Sequence, residues 1–157
     1  MNESLIQAPY EVQIVSDAGQ PLPVMDFHGK PCARSQCGMT YNIKVIVHRD
    51  INGVFPSSNL RIYAEVDGRW VGYNRSLRLT ATRYKGENQA SVRFDGFRDS
   101  NDDICEFKFG PIKAVYCSKN SSTASQKEVG SISIFIYAME RTICNPNTAK
   151  TKTKNPI

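Results

Sequence analysis

The chain has little of what enzymes and secreted proteins commonly need. Its 157 residues include two histidines, His28 and His48, and one tryptophan, Trp70. Two histidines leave few side chains that exchange protons near neutral pH. Neither stands beside a Ser or Cys in a nucleophile motif, although a triad is defined by geometry in space and not by spacing along the chain. No catalytic residue is assigned, and no enzyme is expected. No apolar run approaches the ~20 residues that a membrane helix requires. The opening Met1-Asn2-Glu3-Ser4 lacks the basic start and apolar stretch of a signal peptide. The expectation is a protein made and kept inside a cell, with no membrane partner. Long amphipathic helices are missing, and so is any repeat at a solenoid period.

The cysteines Cys32, Cys37, Cys105, Cys117 and Cys144 form an odd set. Without a secretion signal, a disulfide framework is not expected, and free thiols, some of them in the core, are. Cys32 and Cys37 match half of a zinc site, but no second close pair of Cys or His completes it. Asn2, Asn74 and Asn120 each begin an Asn-x-Ser sequon, read as chance matches in a chain with no secretory route. His48-Arg49-Asp50 spells the start of a kinase catalytic loop without its glycine-rich partner, and is read as the polar end of a strand. Asp99-Ser100-Asn101-Asp102-Asp103 opens like a calcium loop. Ile104 then stands where glycine is needed and Gly110 where glutamate is, so an EF-hand is excluded and a solvated turn is expected. No metal and no cofactor is assigned.

What the chain does have is alternation. Tyr10 to Val15, Tyr41 to Val47, Leu60 to Val66, Ser91 to Phe94, Cys105 to Phe109 and Ser131 to Tyr137 follow the period of two that marks half-buried strands. In the third, Leu60, Ile62, Ala64 and Val66 share one face. The β-branched and aromatic content of the last suits the middle of a sheet. Asp67-Gly68 is the clearest hairpin signal, joining Leu60–Val66 to Arg69–Tyr73. Asp17-Ala18-Gly19 and Asp95-Gly96 supply further turns. The expected fold is all-β, an antiparallel β-sandwich of jelly-roll type with about eight strands. Residues 1–9 would form an N-terminal arm, 10–144 the sandwich, and 145–157 a basic extended tail. Residues 118–130, rich in Ser, Lys and Asn, read as a loop.

These strands, laid end to end, resemble a β-sandwich domain family of unknown function, widespread in fungi and seen elsewhere in eukaryotes and in large DNA viruses. The matching stretches are Tyr10-Glu11-Val12-Gln13-Ile14, Leu22-Pro23, Tyr41-Asn42-Ile43-Lys44-Val45 and Tyr63-Ala64-Glu65-Val66-Asp67-Gly68. They continue in Phe94-Asp95-Gly96-Phe97-Arg98, Phe107-Lys108-Phe109 and Val129-Gly130-Ser131-Ile132-Ser133-Ile134. The resemblance spans Tyr10 to Arg141. It implies a fold and no reaction, because the family brings no catalytic residues to transfer.

The net charge is +5, and Lys150, Lys152 and Lys154 supply three of those charges from the tail. The tail carries too few apolar groups to offset its own ordering entropy, so it would be fixed only by lying across a neighbour. From Arg61 to Arg98 run eight basic residues, interleaved with Trp70, Tyr73, Tyr84, Phe94 and Phe97. Arginine beside aromatics on a sheet is how single-strand nucleic-acid binders work. Glu65, Asp67, Glu87 and Asp95, with Asp99 just beyond Arg98, reduce residues 61–99 to a net of +3, and arginine with tryptophan equally marks protein interfaces. The candidate interaction residues are Trp70, Arg69, Arg75, Arg78, Arg98, Lys150, Lys152 and Lys154. The expected function is a non-catalytic structural or protein-interaction module. Its leading setting is a minor or cementing subunit of a large assembly, such as the capsid of a large icosahedral DNA virus. Protein subunits are the expected partners. The alternatives are a nuclear adaptor domain binding protein or nucleic acid, and an unrecognised enzyme.

Overall fold

The structure is a computed structural model that describes residues 9–110 and 130–139. Within it lie ten strands: β1 Tyr10–Ser16, β2 Val24–Phe27, β3 Lys30–Ala33, β4 Thr40–His48 and β5 Asn59–Val66, then β6 Arg69–Arg78, β7 Gln89–Phe94, β8 Gly96–Arg98, β9 Ile104–Lys108 and β10 Ile132–Ala138. A single 3-10 turn, Thr82–Tyr84, interrupts them. The all-β expectation holds, and every strand pair is antiparallel.

Two sheets share one core. The larger is built on β4, whose nine residues include Ile43, Val45, Ile46 and Val47, all buried. β1 pairs along one edge of β4 in unbroken register from Tyr10↔Val47 to Ser16↔Tyr41. The other edge is divided. β7 takes Ile43 to His48, and β9 takes Thr40 and Tyr41. The division falls at Asp95, after which the chain leaves β4 and β8 pairs with the far side of β9. Gly96 permits this, because an added Cβ would fall on the Cys105 carbonyl of β9.

The smaller sheet has the order β10-β5-β6. Its inward residues Leu60, Ile62, Ala64, Val66, Val71, Tyr73, Leu77 and Leu79 join Tyr41, Ile43, Val45, Val47, Ala90, Phe94 and Phe107 of the larger sheet in one hydrophobic cluster. The β5–β6 hairpin turns on Asp67 and Gly68, both at positive φ (53° and 73°), as a type I′ turn demands. Further along, the pairing shifts between Tyr63 and Glu65, where β6 carries extra residues around Gly72.

The structure has more strands than the sequence led us to expect. The additional pair, β2 and β3, forms a second two-residue hairpin over His28 and Gly29 (φ 51° and 77°). All four residues of β2 are exposed, so burial imposed no alternation for the sequence to display. His-Gly is also not among the Asn-Gly, Asp-Gly and Gly-Gly pairs that signal such turns in a sequence. Of the five thiols, Cys32, Cys37 and Cys105 are free and none of these is buried, whereas Cys117 and Cys144 lie outside the described residues.

Polar side chains fix the loops. Arg49 donates to three carbonyls, those of Glu87 at 2.6 Å and of Gly53 and Tyr84 at 2.9 Å, with its guanidinium 4.0 Å from the Phe55 ring centre. Arg49 thus ties loop 50–55 to loop 84–88, a part that a bare strand end would not play.

Candidate interaction face

The register of the smaller sheet decides which side chains face outward. Cross-strand partners point to the same side of a sheet. With Leu60, Ile62, Ala64 and Val66 turned to the core, Arg61, Tyr63 and Glu65 face away from it. Tyr63 lies opposite Phe135 and Asn74, Arg61 opposite Tyr137 and Ser76, and Glu65 opposite Ser133 and Trp70. The outer face therefore gathers Trp70 (51% exposed), Phe135 (41%) and Tyr137 (54%) around the half-buried Tyr63. The Tyr63 and Tyr137 rings meet edge to face, 5.7 Å between centres. Exposed aromatic side chains grouped in this way mark contact surfaces, whereas scattered ones do not.

The candidate residues separate into three groups. Trp70 and Arg78 lie on the outer face with Arg61, at the even-numbered exposed positions of β6. Arg69, Arg75 and Arg98 reach instead toward aromatic rings where β6 meets β8. The Arg69 guanidinium lies 5.3 Å from the Phe97 ring centre, and those of Arg75 and Arg98 lie 5.2 and 5.4 Å from that of Tyr73. Lys150, Lys152 and Lys154 lie outside the described residues, as do most of the loop 118–130 and the tail.

Acids accompany the second group. Asp95 is 3.9 Å from Arg75 and 3.5 Å from Arg93, and Asp102 is 3.9 Å from Arg98. Arg75 also donates to the Arg93 carbonyl at 2.8 Å. The arginines of Arg61 to Arg98 thus divide between two sides of β6 and form no single basic surface. Arg61 and Arg78 on the outer face make no ion pair among the described residues, and neither does Arg69 of the second group; Glu65 is the outer face's one acid among the described residues.

Groups capable of chemistry lie apart from one another. His48 Nε2 is 2.9 Å from Glu11 Oε2, and Gln13 donates to Glu11 Oε1 at 2.6 Å. Burial alone would raise the Glu11 carboxyl, but hydrogen bonds from His48 and Gln13, with the charges of His48 and Lys44, hold it below its ordinary value. His28 occupies the β2–β3 turn, edge-on to Phe27. A polar cleft of about 260 Å³ lies between Asp17, Thr40, Tyr41, Asn42, Arg93, Asp95, Ile104 and Glu106, with neither histidine nor cysteine in its wall. Thr40 donates its hydroxyl hydrogen to Asp17 there. The Asp99 carboxylate accepts from the N–H of Asn101 (2.8 Å) and of Asp103 (3.0 Å), so it builds the β8–β9 turn. Among the described residues no three His, Cys, Asp or Glu side chains are grouped to hold a metal ion.

Tyr63, Phe135 and Tyr137 were not singled out from the sequence. The signal for Tyr63 was its parity opposite to Leu60 and Ile62. For β10 the signal misled, because both of its faces are apolar or aromatic and its content suggested a central strand. Among the described residues β10 pairs with β5 alone and bounds its sheet. Comparison with known proteins returns no matching family model, no similar curated protein and no similar solved structure.

Proposed function

We propose that this chain is a non-catalytic protein-interaction module, a small subunit of a larger assembly, with the outer face of β10-β5-β6 as its contact surface. One observation carries the reading: three large aromatic side chains, Trp70, Phe135 and Tyr137, are each more than two-fifths exposed on a single face. Buried tryptophan and tyrosine dominate the energy of protein interfaces, and Trp70 is the anchor. Two sheets sharing one core support a β-sandwich of jelly-roll type as the architecture. The assembly in view is a particle such as the capsid of a large icosahedral DNA virus, which follows from the family resemblance.

Sedimentation of extract from the native source tests the reading. The chain travels with a large particle at fixed stoichiometry and survives a salt wash. Added recombinant chain joins the particle, and the variant carrying Trp70→Ala and Tyr63→Ala joins it at least ~30-fold more weakly, as loss of one hot spot of about 2 kcal/mol requires. Native chain sedimenting at its monomer mass would sink the proposal.

The same face favours one second reading. Arg61 and Arg78 beside exposed aromatics suit single-stranded nucleic acid, with bases stacked on the rings and phosphates on the guanidiniums. Steep salt dependence of binding to a single-stranded DNA probe, abolished by Trp70→Ala, would replace the protein partner with nucleic acid.

A further inference from the structure

Strand β10 reads Ile132-Ser133-Ile134-Phe135-Ile136-Tyr137-Ala138, with no charge and no proline. Sheet edges are ordinarily blunted by lysine, proline or a bulge, which prevent another strand from adding on. β10, an edge strand among the described residues, has none of these, and its register against β5 is unbroken over seven residues. Two hydrogen bonds fix which way its backbone points. Met139 donates its N–H to the Asn59 carbonyl, and Asp67 donates its N–H to the Ser131 carbonyl, both at 2.9 Å. Bonding direction alternates residue by residue in an antiparallel ladder. Ser133, Phe135 and Tyr137 therefore turn their N–H and C=O groups toward β5. Those of Ile132, Ile134, Ile136 and Ala138 point away from it.

We propose that this edge pairs with the same edge of a second copy of the chain, antiparallel across a two-fold axis at Phe135. Two three-stranded sheets then become one of six strands. An axis at Phe135 uses the whole strand. Ile132 faces the copy's Ala138 and Ile134 faces its Ile136 in hydrogen-bonded pairs. The two Phe135 side chains meet in a non-hydrogen-bonded pair, where Cα atoms approach to about 4.5 Å. Charge favours a copy as the occupant. A two-fold contact sets a surface against itself, so a charge near the axis meets its own like, and β10 carries none. The pairing also sets Phe135 and Tyr137, two of the most exposed aromatics in the described residues, against side chains of the copy, on the same outer face as Trp70 and Tyr63. This goes beyond the proposed function and does not depend on it.

The test is sedimentation equilibrium of the purified full chain over roughly 1–100 μM, a range that brackets the dissociation constants of modest interfaces. The wild-type mass rises from the 17.6 kDa of one chain toward twice that value. Phe135→Lys, which sets two ammonium groups face to face on the axis, weakens association at least tenfold and leaves the circular dichroism spectrum unchanged. Should that variant fail to fold, amide exchange on the wild type decides: the N–H groups of Ile134 and Ile136 exchange more slowly as concentration rises. A wild type that stays at one chain's mass at the highest concentration overturns the proposal. So does a folded Phe135→Lys variant that associates as well as the wild type, or exchange at Ile134 and Ile136 that ignores concentration. Phe135 belongs to the same outer face as Trp70, so the two proposals are told apart by their readouts: self-association of the purified chain here, and recruitment of the Trp70 and Tyr63 variant to the particle there.

Discussion

Tyr41 shows what a single buried hydroxyl does to the stability of this fold. Its ring is 5% exposed and stacks on Phe107 and Phe109, with centres 5.2 and 4.1 Å away. Burial, with the charge of Asp67, pushes its hydroxyl up to about 12 from an ordinary 10. The folded state thus resists ionisation that the unfolded chain accepts. Its contribution is fully present below pH 10 and is lost as pH rises from 10 through 12, by roughly 3 kcal/mol at most. Tyr41→Phe should leave the melting temperature near pH 7 almost unchanged and flatten the fall between pH 10 and 12. Melting curves of both proteins across that range check this. The ionisation behaviour was hidden in the sequence, because Tyr41 reads there only as an apolar position in an alternating run. Its burial depends on Phe107 and Phe109, over sixty residues away.

At the scale of elements, the turns were legible where side-chain chemistry dictates the backbone. Asp67-Gly68 announced its hairpin and the register followed, whereas His28-Gly29 adopts the same backbone without the same signature. The division of β4's edge at Asp95 was visible only as a break, since nothing local says that β9 will enter beside Tyr41. Gly96 makes the division possible. Gly96→Ala drives a methyl group into the Cys105 carbonyl, an overpacking that costs about 1–3 kcal/mol. The melting midpoint should fall by roughly 3–10 °C, on the scale of a domain this size, while the far-ultraviolet spectrum of the folded protein stays the same. An unchanged midpoint would mean that β8 and β9 are less closely joined than described. Sequence content also could not tell whether β10 bounds its sheet or lies within it. Isoleucine and tyrosine suit either place, and the answer depends on which strands lie beside it.

The whole molecule unfolds as one unit if one core serves both sheets. Leu77, fully buried on β6, belongs to the same cluster as Phe94 and Phe107 of the other sheet. Leu77→Ala should destabilise by about 2–5 kcal/mol, and the transitions followed by near- and far-ultraviolet circular dichroism should still coincide. Separate transitions would show two independent cores. At this scale the all-β class could be read from the alternation of the sequence. The membership of the outer face could not, because Phe135 and Trp70 meet on it only through β5, which pairs with both their strands. That long-range closure has a consequence for synthesis. β5 ends at Val66 and its neighbour β10 begins at Ile132. At ribosomal rates the interval between them is roughly 3–13 seconds. Throughout it, β5 and β6 exist as a hairpin whose apolar edge has no β10 to meet. A newborn chain therefore passes its most adhesive moment before β10 has been made, when a chaperone would find it.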